Sequence, residues 1–194
     1  KAFGLNLADM WFGKVDFTGS YFFNKTVNDA STDLDRVYYQ VSGLDQAYKE
    51  HSSSNSSNIN HRINFRMNYL MDSLNSLLIM PKLSYQGNDG ASFMKGKTFS
   101  SIKDINSADN SSGSNLGAYD ASTDLLFRHR FSVRGRTFSA RVSLSLNSNT
   151  GDNKLYSENS YFDNLTLSDT IDQKANLYKT GRGISGNIAY TEPL

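Results

Sequence analysis

The stretch Phe138-Ser139-Ala140-Arg141-Val142-Ser143-Leu144-Ser145-Leu146 decides the fold class. Its odd and even positions separate without exception. Phe138, Ala140, Val142, Leu144 and Leu146 fall on one side, and Ser139, Arg141, Ser143 and Ser145 on the other. A period of two is the signature of a β-strand with one apolar and one polar face, because successive side chains point to opposite sides of the pleat. Nine residues also exceed the five or six usual in soluble strands. At ~3.3 Å per residue they reach about 30 Å, enough to cross an apolar band ~25 Å tall at a tilt.

The same pattern recurs outward from this stretch. From His61 to Leu70, Ile63, Phe65, Met67 and Tyr69 oppose Arg62, Asn64, Arg66 and Asn68. Val15, Phe17, Gly19, Tyr21 and Phe23 oppose Asp16, Thr18, Ser20 and Asn24, with Phe22 as the exception. Leu77, Ile79, Pro81, Leu83 and Tyr85 form a further apolar face. Pro81 cannot donate to a ladder, so that strand lacks a bond or carries a bulge there. Tyr119 to Phe131 alternates likewise, and Ala2–Ala8 and Leu177–Tyr190 are weaker members. Seven principal strands result.

Composition agrees with an all-β chain. Serine and asparagine make about a quarter of the 194 residues, which disfavours helices. Aromatics at 12% disfavour disorder. A net charge of +1 gives no electrostatic reason to expect nucleic acid as a partner. Without cysteine there is no disulfide framework and no thiolate chemistry. The chain opens Lys1-Ala2-Phe3, so a signal peptide is expected to be absent or removed. No run approaches the ~20 apolar residues of a helical membrane span, which leaves strand-spanning proteins open.

Connections alternate in length. Short links lie at Trp11–Lys14, Met71–Ser76 and Ser132–Arg136. Long, Ser/Asn/Asp/Gly-rich links are expected at 28–57, 89–117 and 149–174, with possible sheet extensions at Arg36–Val41 and Leu155–Phe162. Short turns on one edge and long excursions on the other are the rhythm of an up-and-down transmembrane barrel. Trp11, Phe12, Tyr69, Phe131, Phe138 and Tyr190 gather toward the short-turn edge. Tyr21, Phe23, Tyr85, Tyr119 and Tyr178 gather toward the other, as in two interfacial girdles.

Candidate chemistry is sparse. Gly181-Arg182-Gly183-Ile184-Ser185-Gly186 matches a dinucleotide-turn pattern, but Asn187-Ile188-Ala189-Tyr190 continues as strand where a helix is needed. Arg128-His129-Arg130, with Arg134 and Arg136, forms a basic patch. Arg128 and Arg130 share the polar face with Asp120 and Asp124, so charge pairing is the simpler reading and anion binding the other. His129 falls on the apolar face, and His51 and His61 have no metal-ligand companion at useful spacing. Asp104–Asn110 resembles a calcium loop in composition but lacks the Gly and Glu of an EF-hand. Sequons at Asn24, Asn55 and Asn164 are expected by chance. No catalytic, cofactor-binding or metal-binding residue is assigned, an enzyme is not expected, and substrate-binding residues are unknown.

Tyr21-Phe22-Phe23-Asn24, Ser56–Asn64, Tyr69–Ser76, Phe127–Phe131, Gly135-Arg136-Thr137 and Ala189–Leu194, taken in order, resemble the barrel portion of the TonB-dependent-receptor-like outer-membrane β-barrel proteins of Bacteroidetes-type bacteria. The resemblance implies a 22-stranded barrel in the cell outer membrane, filled by a plug domain. It also implies substrate uptake energised through the TonB complex, contact with outer-membrane lipid, and in some cases a surface lipoprotein partner. The plug, a TonB-contacting segment and most of the strands have no counterpart in residues 1–194, and the end at Glu192-Pro193-Leu194 is turn-like. The expectation is therefore a partial, internal barrel segment whose long loops face outside, with loop tyrosines and Asx residues capturing substrate. The rival expectations are a complete small barrel or adhesin, with Leu155–Phe162 supplying an eighth strand, and a soluble β-sandwich carbohydrate-binding module.

Overall fold

A computed structural model describes residues 1–41 and 43–193. The chain forms one seven-stranded antiparallel sheet whose strands lie side by side in sequence order. They are β1 (Ala2–Trp11), β2 (Val15–Tyr38), β3 (Gln46–Leu70), β4 (Asn75–Ser100), β5 (Asp104–Arg130), β6 (Thr137–Tyr161) and β7 (Asp169–Thr191). A 3-10 turn at Leu165–Leu167 precedes β7. The sheet is open: β1 and β7 are its two edges.

The seven strands and their up-and-down order are those expected, but the long links are not loops. Residues 28–57, 89–117 and 149–174 mostly continue the strands, so β2 to β7 run for 23 to 27 residues. The connections on that edge shrink to 39–45, 101–103 and 162–168. Leu155–Phe162 accordingly belongs to β6, up to Tyr161, and supplies no eighth strand. Asp104–Asn110 is likewise the first turn-side end of β5.

Directly paired side chains explain why such polar segments pair. Asp33 meets His51 (2.6 Å), Asp35 meets Lys49 (3.8 Å) and Lys95 meets Asp109 (3.5 Å). Ser92 meets Ser112 (2.7 Å), Asn115 meets Asp89 (2.5 Å), and Asn55 donates to Asp29. Each couple occupies opposed positions of neighbouring strands. Cross-strand polar pairs each contribute roughly 0.2–1 kcal/mol and specify register where no apolar alternation does.

The short turns follow their residues. Phe12 and Gly13 both have positive φ (54° and 63°) within a turn closed by Lys14 N–H to Trp11 O (3.1 Å). Two successive left-handed residues define the turn whose twist suits a hairpin. In the next turn the Asp72 carboxylate accepts from the backbone N–H groups of Leu74 (2.7 Å) and Asn75 (2.8 Å). These bonds, with the Asn75 side-chain amide first among them, hold the Asp72 carboxyl below its ordinary pKa. Pro81 removes a ladder contact without a bulge. Pairing is interrupted between Asn64–Lys82 and Met67–Ile79, and the register resumes unchanged. The one irregularity in β4–β5 lies elsewhere, at Thr98/Phe99.

Leu78, 5% exposed, is the one buried apolar side chain among the described residues. The accessible surface is 13739 Å², against about 9200 Å² for a compact monomer of 21.6 kDa. A single sheet has no second layer to cover its apolar face, and here that face stays open.

Candidate functional site

The register sorts side chains into two faces with different chemistry. One face carries the odd residues of β1–β5 and the even residues of β6 and β7. Toward the short-turn edge this face is an apolar belt crossing all seven strands. One row through it reads Leu7, Gly19, Phe65, Pro81, Thr123, Leu144 and Ile184. Its members are open to solvent at levels unusual for large apolar groups: Leu5 is 59% exposed, Leu146 55% and Ile184 79%. Arg182 on β7, paired with Leu146, is the charge that interrupts the upper part of the belt.

Rings bound the belt on two sides. Along its upper margin Phe23 lies 5.0 Å from His61, His61 6.0 Å from Tyr85, and Tyr85 4.7 Å from Tyr119. Tyr21 and His61 share a hydrogen bond (Oη to Nδ1, 2.9 Å). Along the short-turn margin Trp11 stacks on Phe17 (5.0 Å), and Phe131 lies between His129 (4.5 Å) and Tyr190 (6.1 Å). The upper aromatic group therefore stands at mid-height and not at the far edge of the sheet, because the strands continue beyond it by about 50 Å. From the Asn75–His129–Phe138 row to the Tyr85–Tyr119 row is ~33 Å along the strands. At a tilt of ~40° that is a height of about 25 Å.

Charges change face at this aromatic row. Below it, Asp16, Arg62, Arg66, Lys82, Asp120, Asp124, Arg128, Arg130 and Arg141 all lie on the face opposite the belt. Above it, Asp29, Asp33, Asp35, Lys49, His51, Lys95, Lys97, Asp109 and Glu158 lie on the belt's own face. The opposite face is there dominated by Ser, Asn, Gln, Gly and Thr. On the belt face below the row, Asp9 and Arg182, one on each edge strand, are the two Asp, Glu, Lys or Arg residues among the described residues.

The residues singled out by sequence fall into place within this scheme. Gly181–Gly186 lies wholly inside β7, so it is strand and opens no helix. His129 Nδ1–H donates to Asn75 Oδ1 (2.8 Å) at the short-turn rim, and His51 pairs with Asp33. The basic patch does not pair as expected: the partner of Asp124 is Arg141 of β6, through Nε (3.1 Å) and Nη2 (2.8 Å), with Ser143 donating to the same oxygen. Arg128 and Arg130 have no carboxylate within ion-pair distance among the described residues. Arg136 instead binds Glu192 (2.5 Å), which holds the Glu192 carboxyl below its ordinary pKa. Asp104 of the supposed calcium loop binds Lys97 (2.8 Å). Among the described residues no group of His, Asp and Glu gathers as a metal site.

One arrangement escaped the sequence reading. Tyr48 donates to Glu50 (2.5 Å) and lies over Gly96, where a Cβ would come within 2.6 Å of the phenol oxygen. The Glu50 carboxylate pushes the Tyr48 phenol pKa up to about 12. Tyr-x-Glu spacing, repeated at Tyr156/Glu158 and Tyr190/Glu192, was the available signal, since i and i+2 share a face of a strand. Comparison with models of protein families gives no match, and comparison with curated proteins gives none either.

Proposed function

We propose that the chain is a sector of an outer-membrane β-barrel of the TonB-dependent-receptor-like kind, a receptor and transporter and not an enzyme. The observation that carries the reading is the belt: apolar, ring-bounded, about 25 Å high, confined to one face, and charged only at Asp9 and Arg182 on the two edge strands. A face held in hydrocarbon has to be free of charge only over the thickness of the hydrocarbon. Above that level both faces meet water, and charges return to the outer one. The polar face then lines the interior, and the hairpins above the aromatic row project outside, where their tyrosines and Asx residues meet the substrate. Further strands complete the barrel, a plug fills it, and the TonB complex energises passage through it.

An immunoblot of fractionated source cells with an antibody to residues 89–117 tests this. A band several-fold heavier than 21.6 kDa in the outer-membrane fraction is expected. A band near 21.6 kDa would overturn the sector reading, with membrane partitioning pointing to a complete small barrel or adhesin. Soluble partitioning at that mass would remove the membrane reading altogether; the β-sandwich expectation is already corrected by the fold, since all seven strands lie in one sheet and no second sheet faces it.

A further inference from the structure

The two charges on the belt face below the aromatic row sit in different settings. Asp9 is satisfied locally: its carboxylate accepts from the Met10 backbone N–H (2.8 Å) and from the Trp11 indole Nε1–H (2.9 Å). Arg182 makes no ion pair among the described residues. Asp9 stands on the other edge of the sheet, six strands and ~29 Å away. Going up the belt face of β6 and β7, the first carboxylate is Asp152. It lies six positions beyond Leu146, the residue paired with Arg182, or ~20 Å along the strand. The lysines of this face, such as Lys25, lie above the row.

The row itself changes character beside Arg182. Across the sheet it reads Phe3, Phe23, His61, Tyr85, Tyr119, Ser148 and Thr180. Five rings on β1 to β5 give way to two hydroxyls on β6 and β7. Arg182 is two residues below Thr180 on the same face, ~6.6 Å along the strand and about 5 Å in height.

We propose that Arg182, Ser148 and Thr180 form a binding site for the phosphate of a lipid in the outer leaflet. The site rests on the barrel reading, which puts this row at the upper boundary of the hydrocarbon. An arginine on a lipid-facing strand is costly at mid-depth and tolerated near an interface. Its aliphatic stem lies along apolar surface while the guanidinium rises to the boundary. A guanidinium takes two phosphate oxygens through parallel N–H bonds, and the two hydroxyls supply further donors. A ring at either position would fill the space that the phosphate takes. The surface just below commits the ligand to a lipid. Leu146 and Ile184 flank Arg182 and are 55% and 79% exposed. Acyl tails cover them, whereas a free phosphate would lose hydration against them.

Brominated lipids test the site and its setting separately. Val142 and Ile79 lie in one row of the belt, two strands and ~10 Å apart. Val142 is on β6 below the proposed site, and Ile79 is on β4 below the rings. The intact polypeptide, carrying a bimane label at Val142→Cys or at Ile79→Cys, is reconstituted in phosphatidylcholine vesicles. Tail-brominated phosphatidylcholine is expected to quench both labels. Tail-brominated phosphatidic acid is expected to bind at the Val142 label about fivefold more tightly than phosphatidylcholine, and at the Ile79 label equally. Arg182→Gln is expected to bring the Val142 preference to one, and Arg182→Lys, which keeps the charge, to retain part of it. Quenching of both labels without that preference, or with a preference unchanged by Arg182→Gln, would overturn the site and leave the barrel reading standing. A preference abolished by inorganic phosphate, at an ionic strength matched with chloride, would make this a free-anion site and overturn the assignment to a lipid. Absence of quenching at both labels would remove the barrel reading and the site with it.

Discussion

The two halves of the sheet, divided by the Phe23–His61–Tyr85–Tyr119 row, are continuous in backbone and different in what holds their register. Below the row, alternation does it: a slip by one residue would turn every apolar side chain to the polar face. Above the row both faces are polar, and a slip would move nothing from oil to water. There the register rests on complementary couples such as Asp33–His51, Lys95–Asp109 and Ser92–Ser112. One half is specified by the contrast between its faces, the other by its own pairs. Substitutions should therefore depend on height in a definite order.

The largest effect is expected from Leu144→Arg, which places a charge in the middle of the belt. On the lipid face of a barrel this costs about 2–4 kcal/mol at mid-depth and ~0–1 kcal/mol near an interface. Thr150→Arg, on the same face and strand but above the aromatic row, is expected at the lower value. Urea unfolding of the intact polypeptide in lipid vesicles measures both. Equal losses at 144 and 150 would show that height has no meaning and remove the membrane reading of the belt.

Gly19→Val is expected to cost about 1–3 kcal/mol by overpacking. Gly19 is paired with Phe65, whose ring covers it, and a Cβ there would come within 2.9 Å of two ring carbons. The same unfolding experiment reads it. If Phe65 instead rotates away without loss of stability, the ring is not fixed by the glycine, and the belt is looser than its geometry implies.

The contrast also says what a sequence can reveal. Phe138–Leu146 and Ile63–Tyr69 announce strands because one face is apolar and the other polar. The stretch Ser52–Asn60 is just as much strand, yet its serines and asparagines serve either face equally. No period is written there, and the turn-forming residues suggest loop. The information was present as pairs 14 to 26 residues apart, from Asp35 with Lys49 to Asn55 with Asp29, and becomes visible only when the register is known. The same holds for the polar face. Arg128 and Asp124 share a strand face by spacing, but Arg141 on the neighbouring strand reaches the carboxylate first. The aromatic residues were legible as two groups, while the height of the upper group depended on knowing that the strands run on.

Tyr48→Phe tests a pair above the row, with an expected loss of about 1 kcal/mol at neutral pH, in the ordinary range for one hydrogen bond. Glu50 raises the phenol pKa from 10.0 to about 12 in the folded state. A raised folded pKa stabilises fully below the unfolded value, and that contribution is lost as pH rises from about 10 through 12. The wild-type advantage over Tyr48→Phe should thus disappear over that interval, by hydrogen exchange of the β3 amides. An advantage unchanged at high pH would mean that the Tyr48 ring packs over Gly96 and its hydroxyl does not matter.

The smallest effect, and the sharpest test of how the polar half keeps register, lies in the row Asp33, His51, Lys95, Asp109 and Glu158. Lys95→Glu puts a carboxylate opposite Asp109, itself opposite Glu158, so three acids stand side by side. Like charges directly opposed cost roughly 0.2–1 kcal/mol, screened by salt. The double change Lys95→Glu/Asp109→Lys makes the row alternate in sign and removes the Asp109–Glu158 repulsion already present. Its hairpin amides should exchange at least as slowly as those of the wild type, while the single change exchanges faster at low salt and recovers at high salt. If the double variant were as weak as the single one, complementarity along the row would not set the register. The long polar hairpins would then depend on the belt below them, and the distinction between the two halves would dissolve.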